Sequence, residues 1–388
     1  MLFDASDLVW LLLPLAAASG WLVARFEQKR SAQHSFDLPS AYFKGLNFLL
    51  NEQPDKAIEV FIRVLEVNSE TVETHLALGN LFRRRGEVER AIRIHQNLIA
   101  RPTLDKEQRS LALLELGQDY LKAGLFDRAE NLFLELAEIR VHSEQALKLL
   151  LHIYQQEKEW EKAISVTRKL VRVSGKYMDD TIAHFYCELA DQEHMRKNYS
   201  TARDHLKKAL AADNKCVRAS MLLGDIAAQE NKYREAIEHW SRIEEQDIHY
   251  LGEVAGRIAE GYKQLKDEQG LYDYFRTSLQ RHGGVSLALA FADVISHRDG
   301  VPAAEKFIVD WLRRAPNVHG LHKLLELNLV KASDSGRKDL LLLQGIIEEL
   351  RAQHLGYVCS QCGFKGKALH WLCPGCNHWN TIKPVRED

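Results

Sequence analysis

Cys359, Cys362, Cys373 and Cys376 form two Cys-x2-Cys pairs separated by ten residues. A pair at this spacing places both sulfurs on one tight turn. Two such turns set four thiolates at the corners of a tetrahedron, the donor set that suits one zinc or iron ion. Gly363 follows the first pair and Pro374–Gly375 fall inside the second, residue types that tight turns favour. Such turns aim backbone N–H groups at the sulfurs and favour the thiolate form. All four positions of the ion are filled by protein, so a structural site is the primary reading. The alternatives are an iron couple for electron transfer and a nucleic-acid-binding zinc ribbon. Lys365, Lys367, Lys383 and Arg386 are basic, but Glu387 and Asp388 offset two of them. The remaining cysteines, Cys187 and Cys216, fall in helical segments and are read as buried thiols.

The segment that carries the four cysteines, residues 357–382, is too short to fold on apolar burial, so the metal would supply most of its stability. Tyr357, Phe364, Trp371 and Trp379 lie within it. They are expected to cover the cluster or to pack it on neighbouring helices. Those helices are legible as a repeat. Ala57, Ala91, Ala129, Ala163, Ala202, Ala236 and Ala304 recur at intervals of 34, 38, 34, 39, 34 and 68 residues. Gly45, Gly79, Gly117 and Gly224 each precede an alanine by twelve residues, and Phe61, Phe133, Leu206 and Trp240 follow one by four. This grammar resembles the tetratricopeptide repeat: two antiparallel helices, small residues where the backbones approach, and bulky ones filling the space between. About eight repeats are expected over residues 38–318, with further helices over 319–354. The two longer intervals are read as loop insertions near Pro102–Lys106 and Gly175–Asp180. Gly270 takes the alanine position of a degenerate repeat.

Such arrays expose a face built from the first helix of each pair. Positions one and four residues from the glycine line should reach it. They give Asn80, Arg83, Gln118, His152, Gln155, Asp191, His194 and Asp225 as a mixed-charge groove suited to a protein partner.

At the other end, Leu8–Ala24 is a 17-residue stretch without charge. As a helix it would cover ~26 Å, close to a bilayer core. Asp4 and Asp7 precede it, and Arg25, Lys29 and Arg30 follow it. The positive flank predicts residues 1–7 as a short periplasmic N-terminus, 8–24 as a transmembrane helix, 25–37 as a cytoplasmic linker, and the bulk in the cytoplasm. The expected fold class is therefore all-α: a transmembrane helix, a repeat superhelix and a four-cysteine metal domain.

The chain has 388 residues with 52 basic and 54 acidic side chains, a net charge of -2. That balance gives no sign of a nucleic-acid-coating protein. No phosphate-binding GxxxxGK[ST], no GxGxxG after a strand, no HExxH and no GxSxG occurs, so an enzyme is not expected.

The order of apolar helix, helical repeats and four-cysteine knuckle closely resembles the lipopolysaccharide assembly protein B family of Gram-negative bacteria. The likeness is carried by Gly79–Leu104 (GNLFRRRGEVERAIRIHQNLIARPTL), Ile182–Ala190 (IAHFYCELA) and Cys362–Pro384 (CGF…HWLCPGCNHWNTIKP). The resemblance implies a single-pass protein of the bacterial inner membrane with its repeats in the cytoplasm. It implies an adaptor that regulates lipopolysaccharide biosynthesis, promoting proteolysis of the lipid A-committing deacetylase by the membrane AAA+ metalloprotease. Other lipopolysaccharide-synthesis or transport proteins are implied as further partners; the alternative functions are a rubredoxin-like electron-transfer protein and a generic repeat scaffold for envelope assembly. The implied tail is rubredoxin-like, with the family's four cysteines on Cys359, Cys362, Cys373 and Cys376. Iron is the usual metal there, and the spacing accepts zinc equally.

Overall fold

The structure, a computed structural model, describes Ser19, Trp21 and residues 38–67, 72–139, 141–331, 334–353 and 356–385. The chain divides into two compact units, one ending at Glu157 and the other beginning at Lys158.

The first unit contains α1 (Leu38–Leu50), α2 (Pro54–Val67), α3 (Val72–Arg84), α4 (Val88–Ile99), α5 (Lys106–Lys122), α6 (Phe126–Ile139) and α7 (Ser143–Gln156). Each helix is apolar on the side that meets its neighbour and polar elsewhere, the pattern that makes a short helix stable only when packed. Ala57, Ala91 and Ala129 are wholly buried. The glycine line opposes the residue sixteen positions later. A β-carbon on Gly45 would lie 2.6 Å from Phe61 Cε1, and Gly79 and Gly117 are closed in the same way by His95 and Phe133. His95 thus fills, as a polar residue, a slot that apolar periodicity could not reveal. Gly86 and Gly124 sit at φ +83 and +75 in the turns that close two of the helix pairs, a conformation most residues avoid. Substituting Gly117 with alanine drives its new methyl into the Phe133 ring. We expect a loss of about 1–3 kcal/mol from overpacking, measured by urea denaturation of the full chain.

The second unit contains α8 (Trp160–Ser174), α9 (Asp179–Met195), α10 (Tyr199–Ala212), α11 (Val217–Gln229), α12 (Tyr233–Ser241), α13 (Ile243–Gln246), a 3-10 turn at Ile248–Tyr250, α14 (Leu251–Leu265), α15 (Glu268–His282), α16 (Val285–Arg298), α17 (Val301–Arg314), α18 (Val318–Leu329) and α19 (Asp334–Gln353). The interlock recurs here, with Gly224 closed by Trp240. The last element among the described residues is a three-stranded antiparallel sheet: β1 (Tyr357–Cys359) lies between β2 (Lys365–Gly366) and β3 (Ile382–Pro384).

Two expectations require correction. The longer intervals are not simple loop insertions. The first helices concerned, α5 and α9, have 17 residues each, whereas α3 and α11 have 13. An added turn of helix satisfies its own backbone hydrogen bonds, which an added loop does not. The second correction concerns the transmembrane helix and the single-pass inner-membrane placement built on it. Among the described residues, no helix is long and apolar enough to cross a membrane. The longest, α19 with 20 residues, carries Arg337, Lys338, Asp339, Glu348 and Glu349, too many charges for a hydrocarbon layer. Of the stretch Leu8–Ala24, only Ser19 and Trp21 are described. The anchor, the residues 1–7 and 25–37 around it, and the cytoplasmic orientation read from its flanks otherwise lie outside the described residues.

Candidate metal centre

The two Cys-x2-Cys turns face each other through their sulfurs. The sulfurs of Cys359, Cys362, Cys373 and Cys376 all lie within 4.8 Å of one another. Cys359 Sγ is 3.7 Å from Cys376 Sγ, and Cys362 Sγ is 3.7 Å from Cys373 Sγ. A tetrahedral ion with metal–sulfur bonds of about 2.3 Å requires sulfur–sulfur edges of about 3.8 Å, so the four residues fit one zinc or iron ion. The backbone N–H groups of Gln361 and Cys362 point at Cys359 Sγ, at 3.4 and 3.5 Å. The Thr381 side chain and these N–H groups lower the Cys359 thiol to about 6. Gly375 lies against Cys362 Sγ and Phe364, where a β-carbon would be 3.3 Å from the sulfur. A side chain there would crowd the cluster, which is why the turn takes glycine. Cys359, Cys373 and Ile382 form a buried core with Tyr357, Phe364 and Leu369 against it. Phe364 therefore covers the cluster.

The two tryptophans point the other way, onto the helices. Trp379 is stacked on His184 with ring centroids 5.3 Å apart at 22°, and meets Trp160 and Phe185 edge-on at 6.2 and 5.7 Å. Trp371 is stacked on Tyr250 at 5.5 Å and 22°, with the Arg218 guanidinium 6.0 Å from its ring. Polar bonds fix the register. The Tyr250 hydroxyl donates to the Ile382 carbonyl at 2.8 Å, inside the interface. The Tyr357 hydroxyl donates to the Glu253 carboxylate at 2.8 Å, and Lys383 Nζ donates to Asp247 at 2.6 Å. Burial and the adjacent Glu253 push the Tyr357 hydroxyl up to about 12. Burial opposes ionisation of Asp247 as well, but the Lys383 ammonium and the His249 ring hold its carboxyl below the usual range.

None of these receiving residues is assigned a role by the sequence, although His184 and Phe185 lie within the segment Ile182–Ala190. One signal was present: His184 and Arg218 each precede the small-residue line (Ala190, Gly224) by six positions. Equivalent positions of consecutive first helices therefore receive the two tryptophans.

His184 is buried, and this burial, with Arg218 and Lys383 nearby, lowers its pKa to about 3. The folded state holds it neutral, whereas the unfolded chain protonates it near 6.5. Stability from this residue is complete above pH 6.5 and falls as the pH drops toward 3, by about 1.4 kcal/mol per unit. The expected result is a steep loss of unfolding free energy between pH 6.5 and 5, flattened in His184→Phe and followed by tryptophan fluorescence in urea.

The proposed groove positions have separate fates. Arg83 is engaged inside the first unit, with Asp119 at 2.8 Å and Glu115 at 2.5 Å, and Asp119 also meets His95 at 2.5 Å. Asn80 Oδ1 is shielded with no hydrogen-bond partner among the described residues. Gln118 and Gln155 are half-buried, and the exposed His152 is bonded by Gln156 at 3.0 Å. In the second unit Asp191, His194 and Asp225 come together around one cavity of ≈ 400 Å³. There Asp191 pairs with Arg218, His194 with Gln229 and Asp225 with Arg257. Burial raises the Asp225 carboxyl even with Arg257 beside it.

Comparison with known proteins agrees with this geometry. Residues 357–384 match the family model described as rubredoxin metal binding domain. Residues 74–110 and 196–248 match tetratricopeptide repeat models. These are scaffold and cofactor-binding modules, not those of an enzyme. The chain is 40% identical over 382 residues to lipopolysaccharide assembly protein B of Escherichia coli strain K12, covering 98% of each chain. It is 36% identical over 394 residues to the protein of that name from Haemophilus influenzae, again covering 98% of each. Identity at this level along nearly the whole of both chains, together with a four-sulfur knuckle seated on helical repeats, means that the chain belongs to the lipopolysaccharide assembly protein B family.

Proposed function

We propose that this protein is a non-catalytic adaptor that regulates lipopolysaccharide biosynthesis by promoting proteolysis of the lipid A-committing deacetylase by the membrane AAA+ metalloprotease. Other lipopolysaccharide-synthesis or transport proteins are its further clients. Residues 38–318 serve as the repeat array, 319–354 as its helical extension and 357–382 as the metal module. Within the array, the cavity lined by Asp191, His194 and Asp225 is the part of the client-binding face we favour, with Asn80, Arg83, Gln118, His152 and Gln155 as the corresponding positions of the first unit.

The observation that carries this reading is the seating of the knuckle. Trp371 and Trp379 are packed on Tyr250, His184, Phe185 and Trp160, so the knuckle is held on a repeat surface, which favours a supporting role for its metal over a free electron carrier on a tether. The metal ion supplies structural cross-linking of four thiolates when bound. The chain's own residues do the rest: Arg218 joins the α9 carboxylates Glu188 and Asp191 to the face of Trp371, which couples the seat to the client cavity. Depletion of the protein, followed by a chase of the deacetylase, tests the function. A lengthened half-life and a raised deacetylase level are expected; unchanged turnover overturns the proposal.

A further inference from the structure

A second cavity in the Lys158–Asp388 unit has a different character. It has a volume of ≈ 390 Å³ and lies among α8, α9 and α10. Arg168, Lys169 and Arg172 line it from α8, and Lys208 from α10, with Glu161 as the one acidic residue. Leu189 and Ile164 add apolar surface. Arg168 donates to the Tyr186 hydroxyl at 3.0 Å, and the His205 ring stacks on Tyr186 at 6.3 Å and 28°. His205 Nδ1 is shielded from solvent without a hydrogen-bond partner among the described residues.

The decisive feature is that four cations without ion-pair partners among the described residues converge on one cavity. Elsewhere in the same unit Arg203, Arg218 and Arg257 are each matched by a carboxylate. None of Arg168, Lys169, Arg172 and Lys208 forms an ion pair among the described residues. All four are exposed, so solvent moderates their mutual repulsion, but gathered around one concavity they raise the local concentration of anions. A guanidinium fork matches the oxygens of phosphate, and ammonium groups add charge without directional demand. A phosphomonoester carries close to two charges and three acceptor oxygens, which answers four cations better than a singly charged carboxylate does. The volume is that of a small-molecule site, and its apolar wall can take the carbon skeleton that bears the phosphate.

We propose that this cleft binds a phosphomonoester, with Arg168, Arg172 and Lys208 as its principal contacts. This site is independent of the client cavity and of the metal centre. The phosphate could be borne by a soluble metabolite or by a lipid headgroup, and two probes separate these sources. Calorimetric titration of the full chain with glycerol 3-phosphate should give saturable, salt-sensitive binding if the ligand is soluble. Flotation with phosphatidylcholine vesicles containing phosphatidic acid, but not with phosphatidylcholine alone, is the result for a headgroup. In either arm Arg172→Glu with Lys208→Glu should weaken binding about tenfold or more. The milder Arg172→Ala with Lys208→Ala should weaken it in the same direction, and Arg276→Glu, an exposed charge on α15, should leave it intact. Absence of binding to both probes overturns the proposal. So does an equal loss in Arg276→Glu and the cleft variants, since that would reflect net charge and not a site.

Discussion

Replacing Cys359 and Cys362 together with serine unfolds residues 357–384 while the helices keep their far-ultraviolet signal. The reason lies in how little else holds the segment. Its strands pair through only two and three residue positions, and its own core contains three buried residues. A sheet of that size is not stable in water by itself. Binding of a structural ion by four thiolates contributes on the order of 10 kcal/mol, and in such modules that energy is folding energy. Serine keeps the shape but not the thiolate, so the double variant loses the ion. Trp371 and Trp379 then leave their pockets, which near-ultraviolet circular dichroism and intrinsic fluorescence would register. Limited proteolysis should cut the tail and spare α8 to α18. Metal analysis of the purified chain should give one iron or zinc ion in the wild type and none in the variant. Under the proposed function, deacetylase turnover should fall to the depleted level. A variant that retained a protease-resistant tail would show that the helices, and not the metal, supply the fold of this segment.

Trp379→Ala is the second large effect, and it separates folding of the tail from its seating. Trp379 lies between His184, Phe185 and Trp160 with only 7% of its surface exposed. Truncating a buried tryptophan to alanine costs about 3–5 kcal/mol. None of its three aromatic partners belongs to the cluster, so the metal should stay bound. The expected outcome is a loaded knuckle that is released from α8 and α9. It would be read as faster proteolysis between α19 and β1 with unchanged metal content, and as impaired deacetylase turnover. Trp379→Phe retains part of the contact and should fall between the two. If the alanine variant regulated turnover normally, the seat would be dispensable and the knuckle's role would lie elsewhere.

The seat also explains why some features could be read in advance and others could not. A four-sulfur site is local: its ligands lie within 18 residues, Cys359 to Cys376, and its turns need glycine and proline at fixed places. The repeat is periodic, so Gly45, Gly117 and Gly224 mark their partners by a constant offset. His95 broke that pattern because a histidine can fill an aromatic-sized slot once Asp119 accepts its proton-bearing nitrogen, and Asp119 is 24 residues away. The intervals of 38 and 39 residues were visible, but whether the added residues extend a helix or a loop depends on what the neighbouring helices cover. Arg83 belongs by register to the exposed face, yet Glu115 and Asp119 turn it inward.

By itself, then, the order of residues determined the four-cysteine cluster, the helical repeat and the family, because each rests on chemistry repeated or completed over a short span. Only the tertiary structure decided where the knuckle rests. That contact joins Tyr250 to Ile382 and Glu253 to Tyr357 across 132 and 104 residues. No periodicity connects such pairs, and their energy comes from surfaces that exist only after both the helices and the thiolate turns have formed.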